Sequence, residues 1–163
     1  MRFCANVSIL FKETPFLKRF GEAREAGFSA VEFWWPARED LGEVERAVKD
    51  ADLTVALFNF DAGDMPNGDR GLPGDREREE QFRENVPVAL DLAKRLGCGR
   101  LNALVGHEVP GMSREEQLEL ARRNVAWAAG RAEEQSAKVR SRRSTPSRTA
   151  LTCSPRPRRR RSS

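Results

Sequence analysis

The sequence predicts an α/β protein built on a parallel sheet with helices packed outside it. Three observations carry this. Strand-like apolar runs recur at 2–11, 28–36, 53–60 and 100–106, and helix-like segments with one apolar face separate them. The runs are apolar nearly throughout rather than alternating, which marks strands buried on both faces. Strict alternation of the two kinds of segment then gives about four βα units with the start of another strand. Two architectures satisfy that order, an open doubly wound sheet and part of an eight-stranded barrel. The turn after the first strand, LFKETP, contains no glycine, so the phosphate-binding fingerprint of dinucleotide domains is missing there.

The first run, RFCANVSILF, places Asn6 and Ser8 toward one side of a strand. Thr14-Pro15 then reads as a helix start, with threonine as N-cap and proline at the first helical position. Phe16, Phe20 and Ala23 follow at helical spacing, and Gly27 supplies the left-handed residue beyond the end. The second run, FSAVEFWWP, is the stretch around which the rest is organised. It carries one acid, Glu32, at its centre, and Pro36 ends it because proline donates no ladder hydrogen bond.

Asp40 with Glu43 reads as a capping box for a second helix, whose apolar face is Leu41, Val44, Val48 and Ala51. LTVALFNF is the third strand. The loop Asp61–Asp75 that follows is rich in Gly, Pro and Asp, a composition that turn chemistry explains and a length more typical of functional loops. A third helix is expected from Arg76 to Leu96, kinked or irregularly entered at Pro87. RLNALVG is the fourth strand. Ser113 with Glu116 caps a fourth helix, and Ala137-Lys138-Val139 opens a fifth strand.

Composition bounds the function. A chain of 163 residues is one domain of ordinary size, and no run reaches the ~20 apolar residues that a membrane span requires. The N-terminus has no signal-peptide pattern, so the cytoplasm is the expected compartment. Cys4, Cys98 and Cys153 lack metal-ligand spacing and read as reduced structural thiols. The net charge of +4 averages two unlike parts: residues 1–139 hold 20 Lys and Arg against 25 Asp and Glu (−5), and residues 140–163 hold nine Arg and no acid (+9).

Phe3-Cys4-Ala5-Asn6-Val7-Ser8, Ala26-Gly27-Phe28 with Ala30-Val31-Glu32-Phe33, and Ala56-Leu57-Phe58-Asn59 together resemble the hydroxypyruvate isomerase family. Gly63-Asp64, Gly71-Leu72-Pro73-Gly74, Leu96-Gly97-Cys98 and Leu104-Val105-Gly106 continue the match in order. The resemblance covers Met1 to about Val139 and implies a xylose-isomerase-like (β/α)8 TIM barrel, present as its N-terminal half (1–139), since a full barrel has roughly 250 residues. It implies interconversion of hydroxypyruvate and tartronate semialdehyde through an enediolate, with a carboxylate base and a divalent cation (Mg or Mn) holding the developing oxyanion. Other sugar or keto-acid isomerases and epimerases share this barrel.

The family's two catalytic glutamates end strands five and eight, so the resemblance assigns no catalytic residue and no metal ligand in this chain. Substrate contacts are expected at Asn6, Glu32 and Asn59 on the barrel strands. His107, the only histidine, is a further candidate because it follows the fourth strand on the catalytic face. Two of them have a plainer reading: Glu32 paired with a polar group of a neighbouring strand, and His107 solvated on a loop. Trp34-Trp35 read as packing or a pocket wall, and Asp61 and Asp64 as turn residues.

Residues 140–163 read as a disordered Arg-rich tail, since their few apolar residues cannot offset chain entropy. The same segment also reads as a frameshift after about Val139. Codons legal for Arg140–Ser154 can be chosen so that an alternative frame spells VEAVNTFENRAHLL, where the family has a strand such as VEALNTF. On either reading this chain is expected to be inactive by itself. The expected partner is a small hydroxy- or keto-acid. Nucleic acid would associate only nonspecifically through the tail, and the open edges of strands one and four invite self-association.

Overall fold

The computed structural model describes residues 3–134 and 138–142. Five strands, β1 (Ala5–Asn6), β2 (Ala30–Phe33), β3 (Thr54–Asn59), β4 (Arg100–Leu104) and β5 (Lys138–Arg142), form one sheet in the order β1-β2-β3-β4-β5. Every neighbouring pair is parallel. The connections run through α1 (Arg19–Glu25), α2 (Leu41–Asp50), α3 (Glu79–Arg95) and α4 (Arg114–Glu134). Each helix packs against the next, so all of them cover one side of the sheet.

That winding decides between the two architectures. A doubly wound sheet reverses its strand order at a switch point and carries helices on both faces. Here the order never reverses, which is the winding of a barrel.

Local chemistry explains the element ends. β1 is far shorter than the expected 2–11, because Asn6 turns the chain out of the sheet. Its Oδ1 accepts from the Ser8 N–H at 3.0 Å, and its carbonyl accepts from Ile9 and Leu10. Thr14 does not cap α1: its hydroxyl donates to the Phe11 carbonyl at 3.0 Å, and a 3-10 turn at Phe16–Lys18 precedes the helix. Gly27 takes φ +89° as expected. Gly27 N–H donates to Arg24 and Phe28 N–H to Ala23, closing the helix end as a Schellman motif.

Asp40 caps α2 through Glu43 N–H at 2.9 Å, although the Glu43 carboxylate turns to Arg46 instead of completing the box. The Ser113–Glu116 box is reciprocal, with bonds of 2.8 and 3.2 Å. α3 continues through Pro87, and the irregular entry lies upstream at the 3-10 turn Arg76–Arg78. β5 begins at Lys138, and its pairing with β4 runs to Arg142, three residues past the boundary drawn at 139. Ala137 and the tail beyond 142 lie outside the described residues.

The core fills the space between sheet and helices. Val31, Phe33, Phe58 and Leu101 from the strands meet Phe20, Val44, Val48, Phe82 and Leu90 from the helices. Phe33 and Phe58 stack at 5.3 Å between ring centroids, and Phe20 meets the edge of Phe33 at 5.8 Å. Each buried ring contributes about 1.5–3 kcal/mol of transfer free energy.

Candidate active site

Side chains alternate along a strand, so the burial of Val31 and Phe33 against the helices puts Glu32 on the opposite, inner face. Asn6 pairs in register with Glu32, and its Nδ2 donates to Glu32 Oε1 at 3.1 Å. The neighbour-strand partner weighed for Glu32 is therefore present. Cys4 Sγ lies 4.0 Å from the other carboxylate oxygen.

On the next pair of strands, Asn59 and Asn102 are also in register, and Asn102 Nδ2 donates to Asn59 Oδ1 at 3.2 Å. Asn102 Oδ1 is buried and accepts no hydrogen bond from the protein. The inner face thus carries two polar pairs, Asn6–Glu32 and Asn59–Asn102. Asn102 is the member that sequence reasoning passed over. Its signal was there, a lone polar residue inside RLNALVG, of the same kind as Asn6 and Asn59 in their strands.

Beyond the C-terminal ends of the strands the chain builds a rim. Ser8 Oγ accepts from Trp34 N–H at 2.8 Å, tying the turn after β1 to the end of β2. The Asp61–Asp75 loop is packed, not draped. Leu72 is fully buried, and Gly71 sits so close to β4 that a Cβ there would lie 1.8 Å from the Leu104 carbonyl oxygen. Asn124, buried on α4, donates to the Pro73 carbonyl at 3.0 Å, while Asn85 Oδ1 on α3 accepts from Asp61 N–H.

Charge organises the loop's other half. Asp69 accepts from Asp64 N–H and from Arg78 Nη1, both at 2.8 Å, and Arg78 Nε reaches Asp75 at 2.8 Å. The Asp64 N–H, then Arg78, hold the Asp69 carboxyl below its ordinary range against the opposing cost of burial. Burial works against the Arg78 charge as well, but its bonds to Asp75 and Asp69 outweigh it.

His107 follows β4 and points into this loop, with Nε2 3.1 Å from the Gly68 carbonyl oxygen. Gln117 of α4 donates to the His107 carbonyl. His107 therefore clamps the loop and is not joined to the inner-face pairs.

Between the rim segments lies a cleft of about 710 Å³. Trp34, Trp35 and Met65 give it apolar walls, and Arg19, Arg70 and Asp61 are among its polar lining. Trp35 stacks on Phe58 at 6.4 Å, so this wall is continuous with the core. Asn6, Glu32, Asn59 and His107 do not line the cleft. Among the described residues no three His, Cys, Asp or Glu come together to hold a metal ion, so these residues do not by themselves fit the divalent cation that the family implies. No described helix is long and apolar enough to cross a membrane.

A parallel sheet wound in sequence order, with its helices outside and a cleft at the strand C-termini, is the winding of part of a βα-barrel. The xylose isomerase-like TIM barrel family model matches residues 20–140, and the chain belongs to that family. It is 44% identical to a putative hydroxypyruvate isomerase of Streptomyces coelicolor, over 78% of this chain and 49% of the relative. It is 39% identical to hydroxypyruvate isomerase of Escherichia coli, over 79% and 50%. It is 37% identical to 2-oxo-tetronate isomerase of Haemophilus influenzae, over 78% and 50%. The crystal structure of an AP endonuclease, family 2, from Brucella melitensis superposes with a TM-score of 0.77 at 39% identity, over 86% of this chain and 54% of that one. The chain spans about half the length of the relatives it matches.

Proposed function

We propose that this chain is the N-terminal part of an isomerase that interconverts hydroxypyruvate and tartronate semialdehyde. The observation that carries the reading is its identity of 39–44% to proteins named hydroxypyruvate isomerase, sustained across most of the described chain. In the reaction a base removes a proton from C3 of hydroxypyruvate, leaving an enediolate over C2 and C3. Returning a proton to C2, with transfer of the hydroxyl proton from the C3 to the C2 oxygen, gives tartronate semialdehyde.

The part of this chain is to bind and orient. Asn59 and Asn102, paired across β3 and β4, and Glu32, held by Asn6, set the polarity of the inner face. The resemblance puts a glutamate on strand five, whereas β5 reads Lys-Val-Arg-Ser-Arg and carries no carboxylate. The 163-residue chain alone is therefore expected to show no hydroxypyruvate isomerase turnover, and measurable turnover by the purified chain would overturn that. Sequencing the coding DNA across codons 140–154 tests the frame. An alternative frame reading VEAVNTF and continuing into further βα units supports the isomerase, and its absence makes the arginine segment genuine.

A second reading is nucleic-acid association, favoured by nine arginines without an acid in residues 140–163. The net −5 of residues 1–139 confines it to that segment. Binding should weaken steeply with salt and vanish when 140–163 are removed. Binding retained by residues 1–139 would contradict this.

A further inference from the structure

The rim cleft holds several cations, and they are not equivalent. Arg78 is claimed by Asp69 and Asp75. Arg38 is largely in solvent, with its side chain 83% exposed, and lies 4.0 Å from Asp64. Arg70 differs from both. Its Nη1 donates to two backbone carbonyls of its own loop, Met65 at 2.9 Å and Asp69 at 2.6 Å, and among the described residues it has no carboxylate partner. Carbonyls fix the orientation of a guanidinium without neutralising it. A guanidinium has five N–H donors, so anchoring through Nη1 leaves the Nε–Nη2 edge unclaimed, and that edge matches both oxygens of a carboxylate.

Arg19, on the same cleft, is likewise held by backbone carbonyls, though its Nε is taken as well. Nε donates to the Thr14 carbonyl at 2.9 Å and Nη1 to Val7 at 3.0 Å, with the guanidinium over the Phe16 ring. Both arginines are half-buried and their charges are unpaired by acids. The cleft therefore presents two oriented, unneutralised guanidiniums beside the indole walls of Trp34 and Trp35.

We propose that Arg70, supported by Arg19, binds the carboxylate of a small hydroxy- or keto-acid in this cleft and thereby sets the enzyme's preference for acids over neutral ketoses. The assignment rests on the isomerase reading for the identity of the acid. The Nη1 anchor makes Arg70 part of the loop's own structure, so the orientation of the guanidinium is fixed before the ligand arrives. A lysine there could keep the charge and reach the Met65 carbonyl but could not present a two-pronged edge.

The test titrates the 163-residue chain with hydroxypyruvate and, separately, with dihydroxyacetone, which keeps the ketone and hydroxyls and lacks the charge, while following the tryptophan fluorescence, to which Trp34, Trp35 and Trp127 contribute. Hydroxypyruvate is expected to give a saturable change, and dihydroxyacetone to bind at least about tenfold more weakly. Arg70→Lys should weaken hydroxypyruvate roughly tenfold. Arg122→Gln, which removes an exposed guanidinium paired with Glu119, should leave it unchanged.

Equal affinity for the two ligands, or an Arg70→Lys variant that binds like the parent, overturns the proposal. Inorganic phosphate binding as tightly as hydroxypyruvate overturns it in favour of a phosphate site. The two readings also separate. Charge-selective binding by this chain, with no isomerisation once the barrel is completed, keeps the carboxylate site and removes the isomerase. Turnover by the completed barrel with a KM that Arg70→Lys leaves unchanged does the reverse.

Discussion

At Gly71 the backbone itself is the functional group. Its φ of +135° and its approach to the Leu104 carbonyl leave no room for a side chain, because a Cβ would sit 1.8 Å from that oxygen. Gly71→Ala should therefore cost about 2–4 kcal/mol, read as a lower urea midpoint, and should loosen the rim loop as a unit. Asp69 in the same loop gives a pH signature. Its carboxyl is held low by the Asp64 N–H and Arg78 in the folded chain, so its contribution is present above the unfolded value, roughly 3.9. It is lost as pH falls through the folded value. Asp69→Asn should thus lower stability at pH 7 and converge with the parent in acid, and a constant difference across pH would contradict the assignment. Cys98 donates to the Arg100 carbonyl at 3.1 Å, and burial pushes its thiol up, so it should react with a thiol reagent only on unfolding. Asn6, Glu32 and Asn59 were visible in the sequence as polar residues in apolar runs. Their pairing was not, because register between strands far apart in sequence is set by the fold. His107 was placed correctly in the chain, yet its partner, the Gly68 carbonyl, belongs to a loop whose path no local rule dictates.

Elements were legible to different degrees for identifiable reasons. Helix ends were read well wherever a side chain makes the cap, as with Asp40 and the reciprocal Ser113–Glu116 box. Ser113→Ala should cost about 1 kcal/mol, measured by thermal unfolding, with a smaller effect for Glu116→Ala. Thr14 had the right residue type and the wrong role, since the nearby Phe11 carbonyl captures its hydroxyl. β1 shrank to Ala5–Asn6 because the Asn6 side chain offers Ser8 N–H an alternative to the ladder. The composition of the Asp61–Asp75 loop is explained by turn chemistry, and its length is that of functional loops. Its one apolar residue besides Met65 and Ala62, Leu72, is the clue that it also contributes to the core.

For the whole molecule, strand order is the deciding observation: five parallel strands in chain order give barrel winding. The composition of the sequence could not choose between that and a doubly wound sheet, because both use the same alternation of buried strands and amphipathic helices. The motifs could, and the family match over residues 20–140 agrees with them. The hydroxypyruvate isomerase activity proposed for these βα units can be tested on a completed barrel. The most direct measurement joins residues 1–139 to the C-terminal half of the Escherichia coli enzyme and follows the conversion of hydroxypyruvate to tartronate semialdehyde. Turnover is expected from the joined barrel and none from the 163-residue chain. A joined barrel that folds cooperatively and leaves hydroxypyruvate unchanged would contradict the proposal.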